Sequence, residues 1–205
     1  MTLTTLNDLF QDGLADLYDA EQQIVKVLPK MAKAASTPAL SEALTSHLEL
    51  SRQHIARLEQ VFENLELPPK RQTCDGMVGL LKEGQKMTEQ EAPPEVRDAA
   101  IIATVQRVEH YEMAGYGCLR TWAHVLGQHE IAELLQETLD EEKAADQTLT
   151  EVAHSINFEA AEGEMRGEEE EEEWAATART GRATSSPSSS RSKAKTTTRK
   201  GTARR

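Results

Sequence analysis

The chain has 205 residues, 28% of them charged, and a formal charge of −12. That length suits one domain with appendages. No run reaches the roughly 18 consecutive apolar residues of a membrane helix, and the opening MTLTTLNDLF lacks the basic-then-apolar layout of a secretion signal. Cys74 and Cys118 are too few to staple a small secreted fold, and no CxxC pair suggests zinc. A cytoplasmic protein without membrane contact is expected.

Apolar positions before residue 160 recur at intervals of three and four, Ala, Leu, Glu, Gln and Lys dominate, and no run of alternating β-branched residues stands out, so the domain is expected to be all-α. A first helix from about Thr4 to Ala35 carries the stripe Leu6, Phe10, Leu14, Leu17, Glu21, Ile24, Leu28, Met31, with Pro29 expected to kink it. Thr37 and Pro38 look like an N-cap and first helical proline. The second helix then runs to about Glu66, before Pro68 and Pro69. A short helix, about Asp75 to Glu89, fills the connection to Pro93 and Pro94. The third long helix spans about Pro94 to Gly127, with Gly127 as a C-terminal cap, and the fourth about Gln128 to Asn157. Long helices of this kind reach about 40–50 Å. Two antiparallel pairs joined by a crossover make a ferritin-like antiparallel four-helix bundle the expected architecture.

Beyond that domain, 1–160, charge is segregated. Residues 164–177 carry −6, mostly from the Glu168 to Glu173 run, and residues 178–205 carry nine basic residues and no acidic one. The division expected is an acidic linker, 161–177, and a disordered basic tail, 178–205, too poor in apolar groups to offset the entropy of ordering. Such a tail suits nucleic-acid phosphates through counterion release; it suits equally an internal pairing with the acidic run.

The anomaly inside the domain is that Glu21, Glu109, Glu112 and Glu142 occupy steps of otherwise mainly apolar rows. A carboxylate among leucines must be protonated, paired with a base or coordinated to a cation. Carboxylates from three helices, with imidazole, suit iron or manganese. The second helix offers His47 and His54, seven residues apart at the edge of its stripe, with Ser51 pointing inward between them. Glu21 to His54 is 33 residues and Glu109 to Glu142 is also 33, as expected if two similar helical hairpins each place one ligand per helix at equal height.

The segments LYDAEQQIVKVLPKMAKAAS, HLELSRQHIARLEQVFE, EVRDAAIIATVQRVEHYEMAGYGCLRTWA and LLQETLDEEKAADQTLTEVA, in this order across residues 3 to 158, resemble the YciE/YciF group of bacterial ferritin-like stress proteins. The resemblance implies a homodimeric all-α bundle from the superfamily of ferritins, rubrerythrins and manganese catalases. It also implies a dimetal pattern of one Glu on each of two helices and Glu-x-x-His on the other two. By position Glu21 and Glu109 match the single glutamates and Glu142 the glutamate of the last helix. The departures are Ala145 where that motif has histidine, with Asp146 one step later as the substitute ligand, and Ser51 three before His54 where it has glutamate. Glu49 projects about 140° from the stripe centre and is not expected to bind.

Candidate metal ligands are therefore Glu21, His47, His54, Glu109, Glu112, Glu142 and Asp146. The competing account is a buried polar network with Tyr18, Tyr111, Tyr116, Arg52, Arg107 or the histidines. His110, His124, His129 and His154 are expected at the surface. No GxxxxGK[ST], GxGxxG, GxSxG or HExxH occurs. Two function classes follow: a metal-dependent protein meeting peroxide or dioxygen, or a noncatalytic dimeric scaffold whose basic tail contacts nucleic acid or a protein.

Overall fold

The computed structural model describes residues 3–70 and 72–179. Among these the regular elements are helices: α1 (Leu6–Ala34), α2 (Pro38–Asn64), α3 (Asp75–Thr88), α4 (Pro94–Val125) and α5 (His129–Arg179). Residues up to Glu164 form one compact unit. The basic segment from residue 180 onward, and with it the expectation of a disordered tail, lies outside the described residues.

Helix ends follow local chemistry. α1 starts two residues later than expected because Thr5 and Asp8 close a capping box, each side chain accepting from the other's backbone N–H. Pro29 sits on the exposed face and the helix continues through it to Ala34. Thr37 does precede Pro38 at the start of α2, but its side chain makes no cap bond there. Its hydroxyl donates instead to Asp98 at 2.6 Å. Gly127 ends α4 with φ +77°, its N–H reaching His124 O and that of Gln128 reaching Ala123 O, the paired bonds of a Schellman turn. The largest departure from expectation is α5, which continues past Asn157 to Arg179. Residues 158–179 are rich in Ala and Glu and hold no proline, so helix propensity carries the backbone beyond the point where the apolar stripe ends.

Contacts give the helix directions. Tyr18 meets Glu59 and Ser41 meets Ala32, so α1 and α2 are antiparallel. Arg57 meets Thr138 while His54 meets Glu142, which sets α2 against α5 in the same sense. Gly13 lies against Leu119 and Gly115 against Leu17, while Thr37 holds Asp98; α1 and α4 are thus antiparallel too. α3 packs on α1 and α4: a Cβ on Gly84 would stand 2.2 Å from Thr104 Cγ2, so only glycine permits that approach. The α3 segment returns the chain from the end of α2 to the start of α4. The shared core includes Phe10, Leu14, Ile24, Leu44, Leu58, Phe62, Ile101, Leu119, Ile131 and Leu149, all under 4% exposed.

Candidate metal centre

Midway along these helices the apolar rows give way to Glu21 on α1, His47, Ser51 and His54 on α2, Glu109 and Glu112 on α4 and Glu142 on α5. Each is at most 4% exposed. Ligand atoms of Glu21, His54 and Glu142 lie within 4.8 Å of one another, and so do those of His47, Glu109, Glu112 and Glu142. Glu142 belongs to both groups. His54 Nδ1 is 2.9 Å from Glu142 Oε1 and 3.2 Å from Glu21 Oε1, and His47 Nε2 is 3.3 Å from Glu109 Oε1.

These contacts are short, yet they lack hydrogen-bond alignment. Among the described residues, both oxygens of Glu109, Glu112 and Glu142, both nitrogens of His47, Glu21 Oε2, His54 Nδ1 and Ser51 Oγ are buried without a hydrogen-bond partner. Buried polar atoms are ordinarily satisfied. Of the residues suggested as an alternative network, His47 and His54 stand against the carboxylates, and Tyr116 reaches the cluster too, donating to Glu21 Oε1 at 2.7 Å. Tyr18 binds Glu59, Tyr111 binds Asp16 and Arg52 pairs with Glu49 on the surface.

The charge states are strained accordingly. Burial pushes Glu109 and Glu112 well above the usual carboxylate range, and the neighbouring carboxylates add to it. Burial likewise raises Glu21, outweighing the pull of His54. Burial works against ionised Glu142 too, but neighbouring Glu109 and the two imidazoles outweigh it and hold the group down at about 2. The two histidines diverge. Burial and the His54 charge lower His47, whereas for His54 the adjoining Glu142 and Glu21 overcome burial and push it up to about 10.

Six of the seven candidates are brought together. Asp146 is not: it lies at the flank, where Oδ1 accepts from Gln106 Nε2 at 3.2 Å and stands 3.4 Å from His110 Nε2. Four residues after Glu142 it shares that residue's side of the helix to within about 40°, but Gln106 and His110 engage it at the flank instead. Glu49 is exposed, as its angle required, and so are His110, His124, His129 and His154. Residues that the pattern did not single out are Glu141 and Arg57. Glu141 Oε2 lies 3.0 Å from His54 Nε2, and Arg57 grips the same carboxylate. The consecutive glutamates Glu141 and Glu142 were the available signal, since neighbours on a helix can serve two sides of one imidazole.

Ala145, in the position of a missing histidine, lines a cleft of about 500 Å³ between α2 and α5. Its walls are mainly Ala43, Leu44, Leu50, Ala144 and Leu149, with His47 and Glu141 among them. The small residue leaves this face open down to the cluster.

Residues 5–162 match the family described as a domain of unknown function, DUF892. Over 162 residues the chain is 45% identical to Protein YciF of Escherichia coli K12, an alignment spanning 78% of this chain and 98% of YciF. This chain belongs to the YciF family. The crystal structure of the E. coli stress protein YciF superposes with a TM-score of 0.73, covering 75% of this chain and 98% of that one. YcfI from Rhodopseudomonas palustris, 47% identical, gives 0.71 over 72% of this chain and 94% of its own. A Xanthomonas campestris protein, 21% identical, shares the fold at a TM-score of 0.64, with 78% of this chain and 99% of that one covered. The family match thus includes all six clustered residues and stops before the Glu168 to Glu173 run and the basic segment.

Proposed function

We propose that this chain is a ferritin-like stress protein whose buried cluster holds two cations, iron or manganese. Glu21, His54 and Glu142 are the residues to hold one, and His47, Glu109, Glu112 and Glu142 the other, with Glu142 common to both. The observation that carries this is the set of buried, unpartnered carboxylate and imidazole atoms converging from four helices. Oxygen and imidazole donors together suit these metals, and burying such charge without a cation is costly.

When bound, such a pair supplies redox and Lewis-acid chemistry toward peroxide or dioxygen. The chain's own contribution is positional. The carboxylates balance cation charge, Tyr116 holds Glu21 by its hydroxyl, and the apolar cleft beside Ala145 admits a small uncharged oxidant to the His47 side. The stress role is carried over from the E. coli stress protein YciF, and action as a homodimer in the cytoplasm is part of the same proposal.

Tag-free protein subjected to elemental analysis tests the reading. Near-stoichiometric iron or manganese, lost in the Glu21→Ala, Glu142→Ala double variant, supports it. Protein that takes up neither Fe²⁺ nor Mn²⁺ overturns it in favour of a noncatalytic scaffold.

The segment past the family match has its own reading. The family match ends at residue 162, which supports reading the acidic run and the basic segment 178–205 as additions to the YciF-like domain. Nine basic residues without an acidic one suit nucleic-acid phosphates. DNA retention that weakens steeply with salt and disappears on deleting 178–205 supports this; retention unchanged by the deletion overturns it.

A further inference from the structure

Outside the two ligand groups, one half-buried carboxylate touches the cluster from behind. Glu141 follows the direction of α5 one step before Glu142, so the two side chains leave the helix about 100° apart. Glu142 meets His54 at Nδ1, on the inside. Glu141 reaches round to Nε2 of the same ring, at 3.0 Å, while keeping 26% of its side chain exposed. Arg57, three residues after His54 on α2, holds Glu141 through both terminal nitrogens, at 2.8 and 3.3 Å. Arg57 is itself braced by Thr138 Oγ1 at 2.7 Å and Glu137 at 3.0 Å.

This chain of contacts decides where the imidazole carries a proton. Arg57 donates to both carboxylate oxygens of Glu141, so that the group stands 3.0 Å from His54 Nε2 with its oxygens turned to accept. The hydrogen between Glu141 and His54 therefore belongs to Nε2. Nδ1 is left as the atom that faces Glu21 and Glu142. His47 has no equivalent support: its Nε2 stands by Glu109, and its Nδ1 has no hydrogen-bond partner.

We infer that Glu141, braced by Arg57, is a positioning residue that fixes His54 with its proton on Nε2 and its Nδ1 lone pair toward the cation held with Glu21 and Glu142. The inference rests on the metal reading above and assigns the support to one of the two cation positions only. Partners of this kind on a ligand histidine ordinarily change metal affinity by about 10- to 100-fold.

Metal-depleted full-length protein titrated with Mn²⁺, with free Mn²⁺ followed by electron paramagnetic resonance, reads both positions. Wild type takes up two Mn²⁺. In Glu141→Ala one of the two binding steps weakens by about 10- to 100-fold and the other is unchanged. Glu141→Gln, whose amide oxygen still accepts from Nε2–H, recovers most of that loss, and Glu49→Ala, on the exposed face of α2, leaves both steps as they were. In Zn²⁺-loaded wild type the His54 Nε2–H gives a slowly exchanging proton resonance that Glu141→Ala removes. Two Mn²⁺ bound by Glu141→Ala with both affinities within twofold of wild type overturns the positioning role while leaving the metal reading in place. A wild type that binds neither Mn²⁺ nor Zn²⁺ overturns the metal reading, and this inference falls with it.

Discussion

Among the described residues two places bury acidic side chains completely, and they do so in opposite ways. Asp98, near the start of α4, has 0% exposure and spends its oxygens fully: it accepts from Ser36 N at 2.8 Å, Thr37 N at 2.7 Å and Thr37 Oγ1 at 2.6 Å. Glu109 and Glu112, three and four turns along the same helix, are buried as deeply, and none of their four carboxylate oxygens has a hydrogen-bond partner. The first arrangement clamps the α1–α2 turn to α4. The second invests burial without local return, which is the pattern expected of a site built around something else. Depth of burial is common to both; satisfaction separates them.

The comparison breaks most sharply at Asp98. Asp98→Ala removes a charged acceptor from two backbone N–H groups and a hydroxyl, and is expected to cost about 3 kcal/mol. Denaturant midpoints with and without Mn²⁺ check it, and the loss must be the same in both conditions if Asp98 is purely structural. Next in size is the stabilisation by cation. At a free Mn²⁺ concentration about 100 times Kd, each bound ion adds about 2.7 kcal/mol. Thermal unfolding of wild type and of Asp98→Ala shifts upward accordingly, whereas Glu142→Ala, which removes the residue common to both ligand groups, shows no shift. Smaller again, and opposite in sign to Asp98→Ala, is Glu112→Met. Replacing an unpartnered buried carboxyl by an apolar side chain of similar length is expected to raise the stability of metal-free protein by about 1–2 kcal/mol. The same variant weakens Mn²⁺ uptake at the His47 side. Equal destabilisation by Glu112→Met and Asp98→Ala would erase the distinction between the two regions.

The sequence carried the second region more clearly than the first. Glu21, Glu109, Glu112 and Glu142 interrupt apolar rows, and a row is a geometric statement, so their convergence was legible before any coordinates. The helix starts at Pro38 and Pro94 and the stop at Gly127 were legible for the same reason, because each residue restricts its own backbone. Asp98 carried no signal. Its function depends on a turn 61 residues away, which no local pattern encodes. Glu141 was signalled only by its place next to Glu142, and Arg57 was hidden, since what matters is the second nitrogen of the His54 ring. Asp146 did not join the cluster although it lies only about 40° round the helix from Glu142, because Gln106 and His110 on the neighbouring helix engage its carboxylate at the flank. The end of α5 was missed because the apolar stripe and the helix stop at different places: packing ends where the stripe does, but Ala and Glu sustain the backbone further.

Asp8 extends the contrast to a carboxylate that is satisfied and exposed. It accepts from Thr4 N at 3.0 Å, Thr4 Oγ1 at 2.7 Å and Thr5 N at 2.9 Å, and these bonds, those from Thr4 foremost, hold its pKa near 2 against an ordinary value of 3.8. A carboxyl group whose folded pKa is depressed adds stability that is complete above the unfolded value and is lost as pH falls through the folded one. The Asp8 contribution is therefore present at neutral pH, begins to fade near 3.8 and is gone below about 2. Asp8→Asn removes the titration but keeps a side-chain acceptor, so the acid limb of the stability curve should be shallower in the variant between those two values. Urea midpoints across that window, with chelator present to keep cations from contributing, measure the difference directly. Parallel acid limbs for the two proteins would mean that the capping box at the start of α1 has opened in solution. Satisfaction by Thr4 and Thr5 would then be too weak, at an exposed site, to distinguish Asp8 from any other surface carboxylate.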